Sequence, residues 1–242
     1  MNKEERIQKL ISNYGSFSRR QVDKFLKEGH VKVNGKVAVV GQKASVNDKI
    51  EINNKIIKFN LKHEYFLLNK PKGYISQRQD EKGREVISLI NNYKNRNLFT
   101  VGRLDYNTTG LIIVTSDGEL SNKVMHPSNK VKKTYLVWVD KPLTKEIILS
   151  LKLGTKLDDG YVTKKIDGFK LINNEEGKVM VKMIISEGKK NQIKRMFLAN
   201  NRKVLNLKRI QIGNLKLEGI DVGQNKKLTK SEIYNGLGVK YE

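Results

Sequence analysis

The stretch that most constrains the fold is Leu111-Ile112-Ile113-Val114, four apolar residues with no polar alternation between them. A run of this length and composition is the signature of a short buried strand. Asp117-Gly118 follows it as a turn signal. Just before the run lies a polar loop holding Arg103, Asp105 and, at the strand's start, Gly110. A strand packed into a sheet holds its adjoining loop rigidly, and loops on rigid scaffolds are where active groups are displayed. Asp is also an ordinary turn residue, so the loop alone favours a structural role for Asp105 over a chemical one.

Charge narrows the choice. The chain of 242 residues carries 48 Lys plus Arg against 25 Asp plus Glu, a formal net charge of +23. An excess of that size points to a polyanionic partner, because release of condensed counterions drives binding to phosphate backbones. No apolar run reaches the roughly 20 residues needed to span a bilayer, and the N-terminus shows no signal peptide. There is no Cys, and the three His residues (His30, His63 and His126) show no ligand spacing. No metal site, no cofactor, no membrane association, a cytoplasmic location and a monomer are therefore expected.

In chain order, Ile7, Leu10, Ile11 and Tyr14 fall at helical spacing within residues 3–14. Ser18, with Gln21 three residues on, forms a capping box for a second helix carrying Val22, Phe25 and Leu26. Val31 and Val33 alternate with Lys32 ahead of Asn34-Gly35, a two-residue hairpin turn. Residues 46–52 read as a turn and a further strand. Residues 1–60 thus form a small helix–helix–hairpin unit. Arg19 and Arg20 stand at the second helix's start, where free amides and the helix dipole favour phosphate. The pieces Arg6…Leu10, Gly15-Ser16-Phe17-Ser18-Arg19-Arg20, Gly29 to Gly35 and Val46 to Ile50 resemble the S4 RNA-binding domain. That resemblance implies binding to structured RNA and leaves catalysis open.

Residues 64–242 read as a second unit. Tyr65 to Leu68 is a strand ended by the basic turn Lys70-Pro71-Lys72-Gly73. Val86, Leu89, Ile90 and Tyr93 have helical spacing. Leu120 and Val124 suggest a short helix closed by His126-Pro127. Residues 132–140 form a strand with Tyr135, Val137 and Val139 on one face. Thr144 caps a helix, residues 154–169 have the composition of a turn-rich hairpin, and Val179 to Ile185 alternate as a strand. Residues 182–209 hold nine basic residues against one acidic, Glu187. Among them Lys189, Lys190, Arg195, Lys208 and Arg209 are candidates for an RNA-contacting wall. Asn191 precedes a helix with Ile193, Met196 and Phe197 turned inward. Residues 204–207 and 209–212 read as two strands, and Thr229 with Glu232 forms a last capping box. Strands mixed with single helices, without regular βαβ alternation, predict an α+β fold.

Several motifs in this second unit, taken in order, are similar to the RsuA/RluB branch of pseudouridine synthases. They are Leu68-Asn69-Lys70-Pro71-Lys72-Gly73-Tyr74, Gly102-Arg103-Leu104-Asp105…Thr108…Gly110-Leu111, Lys133-Thr134-Tyr135, Glu187-Gly188…Gln192 to Phe197, and Leu205…Leu207-Lys208-Arg209…Ile212-Gly213. The resemblance implies a mixed, mainly antiparallel sheet flanked by helices, with the active site in a basic cleft. It also implies isomerisation of uridine to pseudouridine in ribosomal RNA or a pre-ribosomal particle: the N1 glycosidic bond breaks and the base rejoins through C5. Asp105 matches the essential aspartate, Lys194 its basic partner, and Tyr135 the tyrosine that stacks on the target base. An adjacent cation favours an ionised carboxylate, a carboxylate can serve as nucleophile, and a paired uridine must be flipped out to reach it. Arg103 fills the vacated gap or holds a phosphate; Lys70 and Lys72 contact the RNA backbone.

Asn191 departs from the resemblance, since related members often carry Arg or His before the Gln. The subfamily, and so the target uridine, depends on such positions. The Lys133-Thr134-Tyr135 and Lys208-Arg209 motifs favour large-subunit rRNA, with a small-subunit target as the alternative. Two other classes compete: a non-catalytic RNA-binding assembly factor, and a basic DNA-binding protein, for which no recognition-helix motif is apparent.

Overall fold

The structure, a computed structural model, describes residues 4–15, 17–76, 84–95 and 97–240. Residue 3, expected at the head of the first helix, and Ser16 lie outside these. Helix α1 (Ile7–Tyr14) begins later than its apolar spacing suggests, because Glu5–Arg6 is extended and pairs with Lys43–Ala44. Helix α2 (Arg19–Lys27) opens on the expected capping box between Ser18 and Gln21. Strand β1 (Val31–Val33) turns through Asn34 and Gly35, at φ 51° and 83°, into β2 (Lys36–Val37). Positive φ at both turn residues is what a type I′ hairpin requires, and Asn-Gly meets it at least cost. Strands β3 (Ile50–Ile52) and β4 (Lys55–Ile56) complete a four-stranded sheet in the order β2-β1-β3-β4. Ile7, Leu10, Ile11, Val22, Val31 and Ile50 close an apolar cluster of this part alone.

The remainder is built on one sheet, nine-stranded among the described residues. Its strands are β5 (Tyr65–Lys70), β6 (Phe99–Val101), β7 (Thr109–Thr115), β8 (Lys133–Val139), β9 (Gly168–Asn173), β10 (Val179–Ile185), β11 (Val204–Ile212), β12 (Leu215–Lys216) and β13 (Asn225–Leu228). The spatial order is β9-β10-β8-β11-β7-β5-β13, with β6 on β7 and β12 on β11. Within this sheet all pairings are antiparallel except β7 with β11, where Thr109 lies opposite Lys208 and Gly110 opposite Arg209; Tyr74–Ile75 and Arg84–Glu85 form a separate parallel pair. Helices α3 (Gly118–Met125), α4 (Lys145–Leu153), α5 (Gln192–Ala199) and α6 (Lys230–Leu237) flank it. This is the α+β, mainly antiparallel architecture expected. Among the described residues no helix is long and apolar enough to cross a membrane.

The apolar run of β7 is continuous because both faces are covered, a requirement for an unalternating strand. Ile112 and Val114 pack with Leu68, Val137, Val181 and the α5 residues Ile193, Met196 and Phe197. Leu111 and Ile113 pack with Leu120 and Val124 of α3 and Ile233 and Tyr234 of α6. Three details differ from expectation. Asp117 is more than a turn residue: it caps α3, accepting from the Glu119 and Leu120 amides at 2.9 and 3.0 Å and from the Tyr65 and Tyr234 hydroxyls at 2.9 and 2.8 Å. Val86 to Tyr93 form two short 3-10 turns, Val86–Leu89 and Tyr93–Asn95, interrupted by Asn92 at φ 57°. Residues 204–212 are one strand; hydrogen bonds accommodate the buried Arg209 within it.

Gly110 is the tightest point of the sheet. Its φ is +102°, and a Cβ there would lie 2.2 Å from the Arg209 carbonyl oxygen. Neither the backbone angle nor the contact can relax without moving β7 from β11. Gly110→Ala is expected to cost about 2–3 kcal/mol, the scale of a strained conformation plus a core clash. Denaturant unfolding measures it; an unchanged midpoint would contradict this packing.

Candidate active site

Four strands contribute one residue each to a cross-strand row. Tyr135 on β8 pairs with Arg209 on β11, Arg209 with Gly110 on β7, and Gly110 with Lys70 on β5. A bulge at Ile210 sits beside the row, since Thr134 pairs with Gln211 and Tyr135 with Arg209. Bulges of this kind re-aim side chains and cluster near active sites. The loop bearing Asp105 enters β7 at Thr109, one residue before the row's Gly110.

Lys70 shapes that loop. Its ammonium is fully buried and donates to the carbonyls of Thr108 at 2.8 Å, Pro71 and Asp105 at 3.1 Å, and Tyr106 at 3.3 Å. Burial pushes its pKa down to about 8; Lys194 adds to the fall and Asp105 opposes it. Lys70 is therefore not an RNA backbone contact: no surface is left on it, and its protons are committed to the loop. Arg209 is corrected likewise. It is 3% exposed, its Nε donates to the Leu111 carbonyl at 2.7 Å, and its Nη1 donates to the Tyr135 hydroxyl at 3.4 Å. Its Nη2 is buried without a hydrogen-bond partner. The guanidinium of Arg195 is tied to Asp158 and Asp159, with Nε donating to Asp158 at 2.6 Å. With Glu187, which accepts from the Tyr161 hydroxyl at 2.9 Å and the Lys164 amide at 3.0 Å, Arg195 fastens the 156–164 segment to α5. Its acidic partners leave it no free charge for RNA.

Tyr135 is 8% exposed and belongs to the apolar cluster under the sheet, so a base can meet only a small part of the ring. Lys72, Lys189, Lys190, Arg19, Arg20 and Arg103 are exposed, and Lys208 is half-buried. Lys189 lies over the Tyr161 ring at 4.6 Å, and Arg19 Nε donates to the Ser12 hydroxyl at 3.2 Å. Arg20 and Arg103 line one cavity of about 390 Å³ with Ser76, Glu85, Phe99 and Thr100.

Asp105 itself stays open to solvent, its side chain 41% exposed. The first turn of α5 meets it: Lys194 Nζ stands 3.4 Å from Oδ2. Asn191, just before α5, lies closer still. With its amide nitrogen toward the carboxylate it donates to Oδ1 at 3.0 Å and Oδ2 at 2.6 Å. The opposite orientation would set an amide oxygen against two carboxylate oxygens. A half-exposed carboxylate flanked by a cation and an amide is held in one orientation, which suits a nucleophile or base. The residue pattern marks Asn191 only as a departure from related chains; its proximity to Asp105 comes from the fold.

Two family models match the chain: "RNA pseudouridylate synthase" over residues 64–199 and "S4 domain" over residues 5–50. A Bacillus subtilis protein, "Ribosomal large subunit pseudouridine synthase B", is 38% identical over 95% of this chain and 94% of its own length. The chain belongs to the RNA pseudouridine synthase family. A second relative of this synthase, "Dual-specificity RNA pseudouridine synthase RluF" of Salmonella typhi, is 35% identical over 94% of this chain and 77% of its own. A solved "pseudouridylate synthase" superposes on this one with a TM-score of 0.70 at 30% identity, covering 96% of this chain and 99% of that one. The synthase thus carries an S4 domain ahead of an enzymatic isomerase fold.

Proposed function

We propose that this synthase isomerises a uridine of ribosomal RNA, in the large subunit, with Asp105 as the reacting carboxylate. The bond from C1′ to N1 breaks, the uracil turns, and C1′ bonds to C5; the C5 proton leaves and N1 takes one up. The change balances without oxidant or reductant. The observation that carries the assignment is the Lys194 ammonium 3.4 Å from a solvent-open Asp105 carboxyl. The similarity to the Bacillus subtilis large-subunit enzyme supports the choice of rRNA. Tyr135, held from below by the buried Arg209, offers the exposed edge of its ring to the extruded base. Arg19, Arg20, Arg103, Lys72, Lys189, Lys190 and Lys208 guide the RNA backbone. The division into residues 1–60 for binding and 64–242 for catalysis, in a single chain acting as a monomer, belongs to the same proposal.

The test uses unmodified large- and small-subunit rRNA transcripts carrying C5-tritiated uridine. Tritium release from the large-subunit transcript is expected. Release from the small-subunit transcript alone would move the target, and none from either would overturn the substrate assignment.

A further inference from the structure

We propose that Asn191 is a positioning residue for the reaction: its amide, rather than Lys194, sets the orientation of the Asp105 carboxylate. The proposal rests on Asp105 being the reacting group. An Asn before a helix ordinarily turns its side-chain oxygen onto the second or third amide of that helix. Asn191 makes no such bond. Its backbone is left-handed, φ 51° and ψ 26°, a conformation Asn tolerates better than other residues with a Cβ. The local cost of that conformation and of an unused cap goes with a side chain committed to Asp105. With its nitrogen turned to the carboxylate, the amide reaches both oxygens, at 3.0 and 2.6 Å, whereas Lys194 reaches one, at 3.4 Å. Asn has two side-chain torsions to fix and Lys has four, so the short amide holds a direction while the long ammonium supplies charge. Being neutral, the amide orients the carboxylate without the strong pairing that would hold its electrons from the sugar.

Three variants of the full chain, assayed by single-turnover tritium release, decide it. Asn191→Gly permits the left-handed backbone and deletes the amide. Its kcat should fall roughly 10- to 100-fold, the range of one hydrogen bond to a charged group, with KM and melting temperature nearly unchanged. Asn191→Asp keeps the size but sets a second carboxylate beside the first. It should move the acid limb of kcat/KM up by about one pH unit or more. Wild-type kcat in Asn191→Gly, a change confined to KM, or an unmoved acid limb in Asn191→Asp would each overturn the proposal. Asp105→Asn separates the two claims. Full turnover there removes Asp105 from the chemistry, whereas silent Asn191 variants beside an inactive Asp105→Asn remove only the positioning role.

Discussion

Asp105→Asn is expected to lower turnover by a factor on the order of 10⁴ or more, the scale seen when a reacting side chain is removed, while RNA affinity and fold persist. The substitution keeps the size and removes the charge. The Asp105 side chain is 41% exposed, so its pairing with Lys194 is worth no more than about 1 kcal/mol of stability. The variant should therefore unfold where the parent does. Binding should persist for a similar reason. The chain carries +23, and losing one negative charge from such a surface weakens no phosphate contact. Tritium release gives the chemistry, filter binding gives the affinity, and thermal unfolding gives the stability. Equal losses in all three would make Asp105 a structural residue.

Lys70→Ala is expected to damage both stability and activity. The ammonium is fully buried and satisfies the carbonyls of Pro71, Asp105, Tyr106 and Thr108. Truncation leaves those carbonyls without their donor and opens a cavity beneath the loop. Costs of about 3–5 kcal/mol follow from breaking a buried polar cluster, against a total of about 5–15 kcal/mol for a native protein. Lys70→Met separates the two contributions: it retains most of the stem and loses only the head. It should recover part of the unfolding midpoint and little of the turnover, because the Asp105 loop is held by the head.

The pH dependence of Lys70 has an unusual sign. Its folded pKa of about 8 lies below its ordinary value of 10.5. Between those values the unfolded chain holds a proton that the folded chain has shed, so the burial penalty of Lys70 is relieved as pH rises. Its contribution to stability improves from about pH 8 upward while the loop loses its clamp. Turnover should thus fall through pH 8 without a parallel loss of fold. A flat pH–rate profile from 7 to 9 would show that the charged head is dispensable.

Much of this architecture is legible in local pattern. The run Leu111 to Val114 announces a buried strand, Asn34-Gly35 a hairpin, and Ser18…Gln21 and Thr229…Glu232 helix starts, because each depends on residues near one another in the chain. The basic site residues are harder. Lys70 and Arg209 look like RNA contacts, since lone cations are almost always solvated. What buries them is a loop 35 to 38 positions away for Lys70, and the β7 carbonyl with the Tyr135 hydroxyl for Arg209. Neither partner is local, so no periodicity reports it. Lys194 and Asp105 are 89 positions apart, and only family resemblance pairs them before the fold does. Asn191 shows the limit of resemblance: the position that departs from related chains is the one whose amide lies against the carboxylate.

The most direct test is a map of pseudouridines across the rRNA of cells lacking this chain, complemented with either the parent or Asp105→Asn. At least one rRNA uridine should go unmodified without the chain, regain modification with the parent, and stay unmodified with Asp105→Asn at equal protein level. Restoration of that pseudouridine by Asp105→Asn would contradict the account.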